Sequence, residues 1–136
     1  MVAACASGTG LSAGLTTRMD RPGAALESAE ALMIVNDYRR VAGAAALRSD
    51  ALLDAMAHDL AASYAQSGDV PVLPAGAVLL RVSAGYPTFA ETFSGWRNSP
   101  DDAAALAEKG ATRGGVGVAY DANSTYGVYW VLVLDD

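Results

Sequence analysis

The sequence predicts an α+β fold in which helices cover an antiparallel sheet. Two observations carry this. Across the first two thirds of the chain, apolar residues recur at helical spacing, punctuated by glycines and capping residues. From residue 116 onward the period switches to two, and residues 127–134 are apolar on both faces, as in a central strand. Helices first and strands last is the order of an α+β sandwich. A chain of 136 residues is long enough for one domain with one real core.

Residues 1–25 are rich in Ala, Gly, Ser and Thr and offer few anchors for a core. They are expected to form a leader or tether, with the folded domain spanning 26–136. The first helical pattern begins near Ala24. Ala31, Ile34, Val35, Tyr38, Val41 and Ala42 share one predicted face, and Gly43 stands where the helix should end. Arg39-Arg40, in its last turn, reads as a solvated helix end suited to the dipole. Ser49 or Asp50 offers an N-cap oxygen for a second helix. Leu52, Met56, Leu60 and Tyr64 recur every fourth residue along it, and Gly68 stops it.

Pro71, Pro74 and Gly76 make 69–77 a loop. The run Ala77-Val78-Leu79-Leu80-Arg81-Val82 fits a short strand or a buried extended piece, and periodicity does not choose between them. A turn at Gly85-Tyr86-Pro87-Thr88 leads into a third helix. Thr88 is placed as its N-cap, Glu91 at the third position of a capping box, and Phe89, Phe93 and Trp96 on one face. Ser99-Pro100-Asp101-Asp102 reads as N-cap, Pro at the first helical position and acids in the first turn of a fourth helix over about 100–109. Val116, Val118 and Tyr120 alternate with small residues. Asp121-Ala122-Asn123-Ser124 then turns the chain into the final strand.

Composition removes several function classes. The net charge is −6, from 9 basic and 15 acidic residues, which is the wrong sign for nucleic acid. No apolar run approaches the roughly 18 residues that cross a membrane. One Cys and one His exclude a disulfide framework and a Cys/His zinc cluster. The serines have no His at any triad spacing. Gly115-Val116-Gly117 lacks the helix and Lys of a phosphate loop and instead suggests close packing on a strand. His58, four residues after Asp54, fits either a carboxylate-oriented base or a structural helix-surface pair, and the structural role is favoured.

Asn36-Asp37-Tyr38-Arg39, Gly43, Leu47, Leu52 and Ala57-His58 together resemble the opening of the CAP superfamily of cysteine-rich secretory proteins, antigen 5 and pathogenesis-related proteins. The block from Val82 to Glu91, then Gly95-Trp96 and Asn98-Ser99-Pro100, is similar to the middle of a bacterial member. Gly115 to Ala119 and Tyr129-Trp130-Val131 are similar to its two closing strands. The resemblance covers about 28–134. It implies a three-layer α-β-α sandwich and an extracytoplasmic location, at the periplasm or outer surface.

It also implies a central cleft whose two His and two Glu can hold a divalent metal, and here the chain departs from the pattern. Ser67-Gly68-Asp69-Val70 stands where the first cleft His is expected. Leu80-Arg81 replaces the Glu-Asn pair, Glu91 matches the second Glu, and Asp102 falls at the second His. Glu91 and Asp102 are thus the residual cleft candidates, better suited as an oxygen pair to Ca²⁺ or Mg²⁺ than to zinc. Each also has an ordinary role, Glu91 in the capping box and Asp102 against the helix dipole. Leu80 is expected to help fill the former cleft. No catalytic residue and no cofactor is assigned.

Val2-Ala3-Ala4-Cys5 fits the bacterial lipobox pattern of aliphatic, small, small, Cys. Cys5 is therefore the expected lipidation site. The function expected is a degenerate, non-enzymatic binding or structural module of the envelope, with an unidentified small ligand or an envelope protein as partner. The alternative is a residual cleft that binds a divalent cation or small lipid-like ligand, or hydrolyses a substrate.

Overall fold

A computed structural model describes residues 12–136. The elements run α1 (Ala13–Thr16), α2 (Ser28–Ala42), β1 (Arg48–Ser49), α3 (Ala51–Ser67), β2 (Leu79–Ala84), α4 (Phe89–Arg97), α5 (Pro100–Leu106), β3 (Arg113–Tyr120) and β4 (Val128–Asp135). The strands form one sheet in the order β1-β3-β4-β2. β3 and β4 pair antiparallel, with Val116 opposite Leu132 and Val118 opposite Trp130, as the alternation predicts. β2 adds antiparallel on the other side of β4, with Leu80 opposite Val133 and Arg81 opposite Leu132. The two-residue β1, parallel to β3, has no signal in the sequence.

The sheet lies between two helical layers, because alternate residues of β4 enter separate cores. Trp130, Leu132 and Leu134 pack with Phe89, Phe93, Trp96, Leu32 and Val35 from α2 and α4. Val131 and Val133 pack on the other face with Leu53, Ala57 and Ala61 of α3. Trp96 and Trp130 are both buried, as the sandwich requires.

Asp50 is the N-cap of α3, its carboxylate accepting from the backbone N–H groups of Leu52 and Leu53. Arg113 then donates to Asp50 at 2.8 Å and to Asp135 at 2.7 Å, fastening that helix start to β3 and β4. α2 and α3 end as expected at Gly43 and Gly68, both in the left-handed conformation (φ +84 and +78). α5 ends earlier than expected, at Leu106 rather than near 109.

Several expectations change. α2 buries Ala31, Leu32, Val35 and Arg39, so its contact face is rotated away from Val41 and Ala42, which are exposed. Arg39 is not a solvated helix end: it is fully buried, and its guanidinium donates to the carbonyls of Ala45, Leu106, Glu108 and Ala111. Five fixed N–H donors let one side chain satisfy this irregular backbone. α3 buries Leu53, Ala57, Ala61 and Ala65, one residue along from the predicted stripe, and leaves Leu52 exposed. The reason lies in β3, where a Cβ added at Gly115 or Gly117 would overlap the α3 backbone at Leu53 or at Ala57 and His58. Contact that close selects small residues over large ones.

The residues expected as a leader also make contacts. Residues 13–19 pack on the domain: Leu15 and Met19 are buried in the core shared with α2 and α4. The Gly14 N–H donates to Glu30, and the Met19 N–H to the Pro87 carbonyl. The core therefore includes residues before 26. Cys5 lies outside the described residues.

Candidate functional site

Glu91 sits in the first turn of α4. Thr88 caps this helix by accepting from the Glu91 N–H at 3.3 Å, and its hydroxyl donates to Glu91 Oε1 at 2.8 Å. This is a variant of the capping box, in which the carboxylate is held by the capping hydroxyl instead of the backbone N–H. Glu91, Tyr86, Ala90, Ser94, Gly95 and Asn98 line an open hollow of about 340 Å³. The Tyr86 ring lies over Gly95, where a Cβ would come within 3.2 Å of it.

The wall of this hollow is fixed by both tryptophans. Trp96 donates its indole N–H to the Val82 carbonyl at 3.0 Å, and Trp130 donates to the Tyr86 carbonyl at 2.8 Å. The sequence marks both as core residues but does not reveal that their polar ends hold the 82–86 backbone.

Asp102 is not among the residues lining the hollow. It forms an ion pair with Arg81, Nε to Oδ1 at 3.0 Å, with both side chains about one-third exposed (32% each). The N–H does not point along the line to the oxygen, so the contact is electrostatic without a well-aligned hydrogen bond. A second guanidinium nitrogen of Arg81 donates to the Leu80 carbonyl.

Leu80 itself points the other way. It is half-buried in the α3-side core with Val133, so it does not fill the space beside Asp102. Strand alternation explains the correction: Leu80 and Val82 face α3, whereas Arg81 faces α5. Arg81 is the residue that sequence reasoning missed. A cation one position from the expected carboxylate, together with an acid at the expected His, was the available signal.

His58 lies in the opposite layer. Its Nδ1 is 3.2 Å from the Val118 N–H donor and 3.1 Å from the Val118 carbonyl. Asp54 does not orient the imidazole through a hydrogen bond. Its Oδ1 accepts from the Val116 N–H at 3.0 Å. Burial pushes the Asp54 carboxyl up, against the lowering effects of that N–H and of His58. The pair therefore serves the free edge of β3, which β1 covers only at Arg113 and Gly114.

Among the described residues, no three His, Cys, Asp or Glu side chains gather to hold a metal ion. At the cleft positions no imidazole is present, and Arg81 already neutralises Asp102. These residues do not fit the divalent metal that the resemblance implies.

The structure is thus an α-β-α sandwich with an open hollow on one helical layer. The model of the cysteine-rich secretory protein family matches residues 32–134, and the chain belongs to that family. No curated protein sequence matches it. Among solved structures, an outer surface protein of Borrelia burgdorferi is similar at 15% identity and a TM-score of 0.62, covering 76% of this chain and 88% of that one. A cysteine-rich secretory protein of Staphylococcus aureus is similar at 13% identity and a TM-score of 0.57, over 78% of this chain and 37% of that one. At these identities the likeness establishes the shared fold.

Proposed function

We propose that this chain is a non-enzymatic binding or structural module of the bacterial envelope, held outside the cytoplasm by a lipid on Cys5. The observation that carries the non-enzymatic reading is the Arg81–Asp102 ion pair. It places an internal cation against the carboxylate that stands at a cleft-histidine position. Catalysis by metal-bound water needs several ligands around one ion, and general-base catalysis needs a base within reach of a nucleophile. Ser94 lines the hollow, but the chain's one His belongs to the layer across the sheet. The lipobox-like Val2-Ala3-Ala4-Cys5 and the likeness to an outer surface protein support the location.

Two measurements test this reading. Calorimetric titration with Ca²⁺, Mg²⁺ and Zn²⁺ should give no stoichiometric binding. Micromolar binding lost in Glu91→Gln or Asp102→Asn would overturn the inactive-cleft reading. In the native host the protein should fractionate with membranes, and Cys5→Ser should release it, because each buried methylene of an acyl chain contributes about 0.8 kcal/mol. A soluble cytosolic protein with a free Cys5 thiol would end the anchoring proposal.

A second reading is favoured by the hollow itself. Glu91, Ser94, Asn98 and Tyr86 converge on about 340 Å³, room for a small polar or lipid-like ligand. A ligand whose affinity falls in Glu91→Gln while the metal titrations stay flat would select it.

A further inference from the structure

The apolar arc of α2 is wider than the sheet can cover. Its contact face runs through Ala31, Leu32, Val35 and Arg39. Ile34 and Tyr38 are left half-buried and Val41 is 82% exposed. These three follow the spacing i, i+4, i+7, which places them along one side of the helix over about 10 Å. Phe93 of α4 forms the opposite wall, edge-on to Tyr38 with ring centroids 6.3 Å apart. Between them runs a groove of about 390 Å³.

Its rim carries two arginines, Arg40 and Arg97, against one acid, Asp37, in a chain with only 9 basic residues and a net charge of −6. On the α4 bank, the Arg97 guanidinium lies 5.9 Å from the centre of the Phe93 ring. No carboxylate lies within ion-pair distance of Arg97 among the described residues. On the α2 bank, Arg40 meets Asp37 only at 3.5 Å, with both side chains largely in solvent. An exposed pair at that distance holds its charges weakly.

We propose that this α2–α4 groove docks an acidic amphipathic helix of a partner protein. The occupant's apolar stripe would lie on Ile34, Tyr38, Val41 and the Phe93 edge, while its carboxylates meet Arg40 and Arg97. Cations on both banks select the occupant. A helix presents acids at i and i+3 or i+4 and reaches both banks, whereas a fatty acid carries a single carboxylate at one end. The proposal rests neither on export nor on the state of the hollow beside Glu91.

The test uses the full chain and a dye-labelled synthetic helical peptide of about four turns, with leucines on one face and glutamates flanking them. Fluorescence anisotropy should show saturable binding that weakens with salt. Arg40→Glu and Arg97→Glu should each weaken binding about tenfold, and Val41→Asp should abolish it. The peptide with lysines in place of glutamates should not bind. All three positions are exposed, and circular dichroism with thermal unfolding should show each variant folded. If Arg97→Glu nevertheless perturbs the Phe93 contact, Arg97→Gln should still weaken binding. Amide shifts in the NMR spectrum should concentrate in α2 and α4. Absence of peptide binding, affinity indifferent to Val41→Asp, or shifts centred elsewhere would overturn the proposal. So would Val41-dependent binding of oleate or phosphatidylglycerol vesicles without peptide binding, which would assign the groove to lipid.

Discussion

The two faces of the sheet are built on opposite principles. Where α3 crosses β3, almost no side chain separates helix from strand, because Gly115 and Gly117 lie under the backbone at Leu53, Ala57 and His58. Beside that contact, Ala57 and Ala61 pack with Leu53, Val131 and Val133. On the other face, Phe89, Phe93, Trp96 and Trp130 form a thick aromatic layer, with Phe89 5.9 Å from Trp96 and 5.6 Å from Trp130 between ring centroids. The thin layer gains from backbone proximity: at that range Asp54 and His58 reach the unpaired N–H groups of Val116 and Val118. The thick layer gains from buried area, and its irregular backbone is held by Arg39 and two indole N–H groups. A contact of glycine on alanine cannot accept added volume, whereas a layer of large side chains cannot lose it.

The comparison breaks most visibly at Arg39. Arg39→Ala removes the donors for four backbone carbonyls and leaves a cavity in the thick layer. Chemical denaturation should show a loss of about 3–5 kcal/mol. Arg39→Lys should recover little, since one ammonium lacks the planar fork.

On the thin side, Gly117→Ala should cost about 3 kcal/mol, at or above the upper end for overpacking, because the added methyl meets helix backbone. Gly110→Ala supplies the control: its Cβ would meet only the Glu108 carboxylate, the end of a flexible side chain, at 3.2 Å. It should change stability by less than about 0.5 kcal/mol. Equal losses in the two variants would refute the steric account of the thin layer.

Leu80 sharpens the boundary between the layers. Half-buried on the α3 side, it should lose about 1–2 kcal/mol on substitution by Ala, below the full-burial range. Arg81 and Asp102 should be indifferent to that change. A coupling between Leu80→Ala and Asp102→Asn in a double-mutant cycle would contradict the assignment of these residues to opposite faces.

The smallest effect concerns pH. Burial raises the Asp54 carboxyl in the folded state, so its ionisation opposes folding. That unfavourable contribution sets in as pH rises from the ordinary carboxylate range through the raised folded value, and it persists above that value. Asp50 has the opposite sign. N–H donation from Leu53 and then from Arg113 holds its carboxyl low, so its stabilising contribution is present above the ordinary range and lost as pH falls through the lowered value. Asp54→Asn keeps an oxygen for the Val116 N–H and removes the buried charge. Its melting temperature should exceed that of the unaltered protein at neutral pH and converge with it in acid. A difference that widens in acid would reverse the sign assigned to Asp54.

The sequence by itself determined the order and class of the four longer helices, because caps, glycine stops and the switch in apolar period are local properties. Asp50, Thr88, Gly43 and Gly68 act where they stand. It also determined the antiparallel closing pair, since residues 127–134 are too apolar for either face to meet water. Only the tertiary structure decided which residues of α2 and α3 face inward. A helical pattern dominated by large residues points toward bulk, and it does not register that glycines on a distant strand bring the helix backbone close. Nor did local pattern place Arg39 in the core or join Arg81 to Asp102. Those contacts depend on backbone carbonyls and a helix far along the chain, which become neighbours only when the layers close.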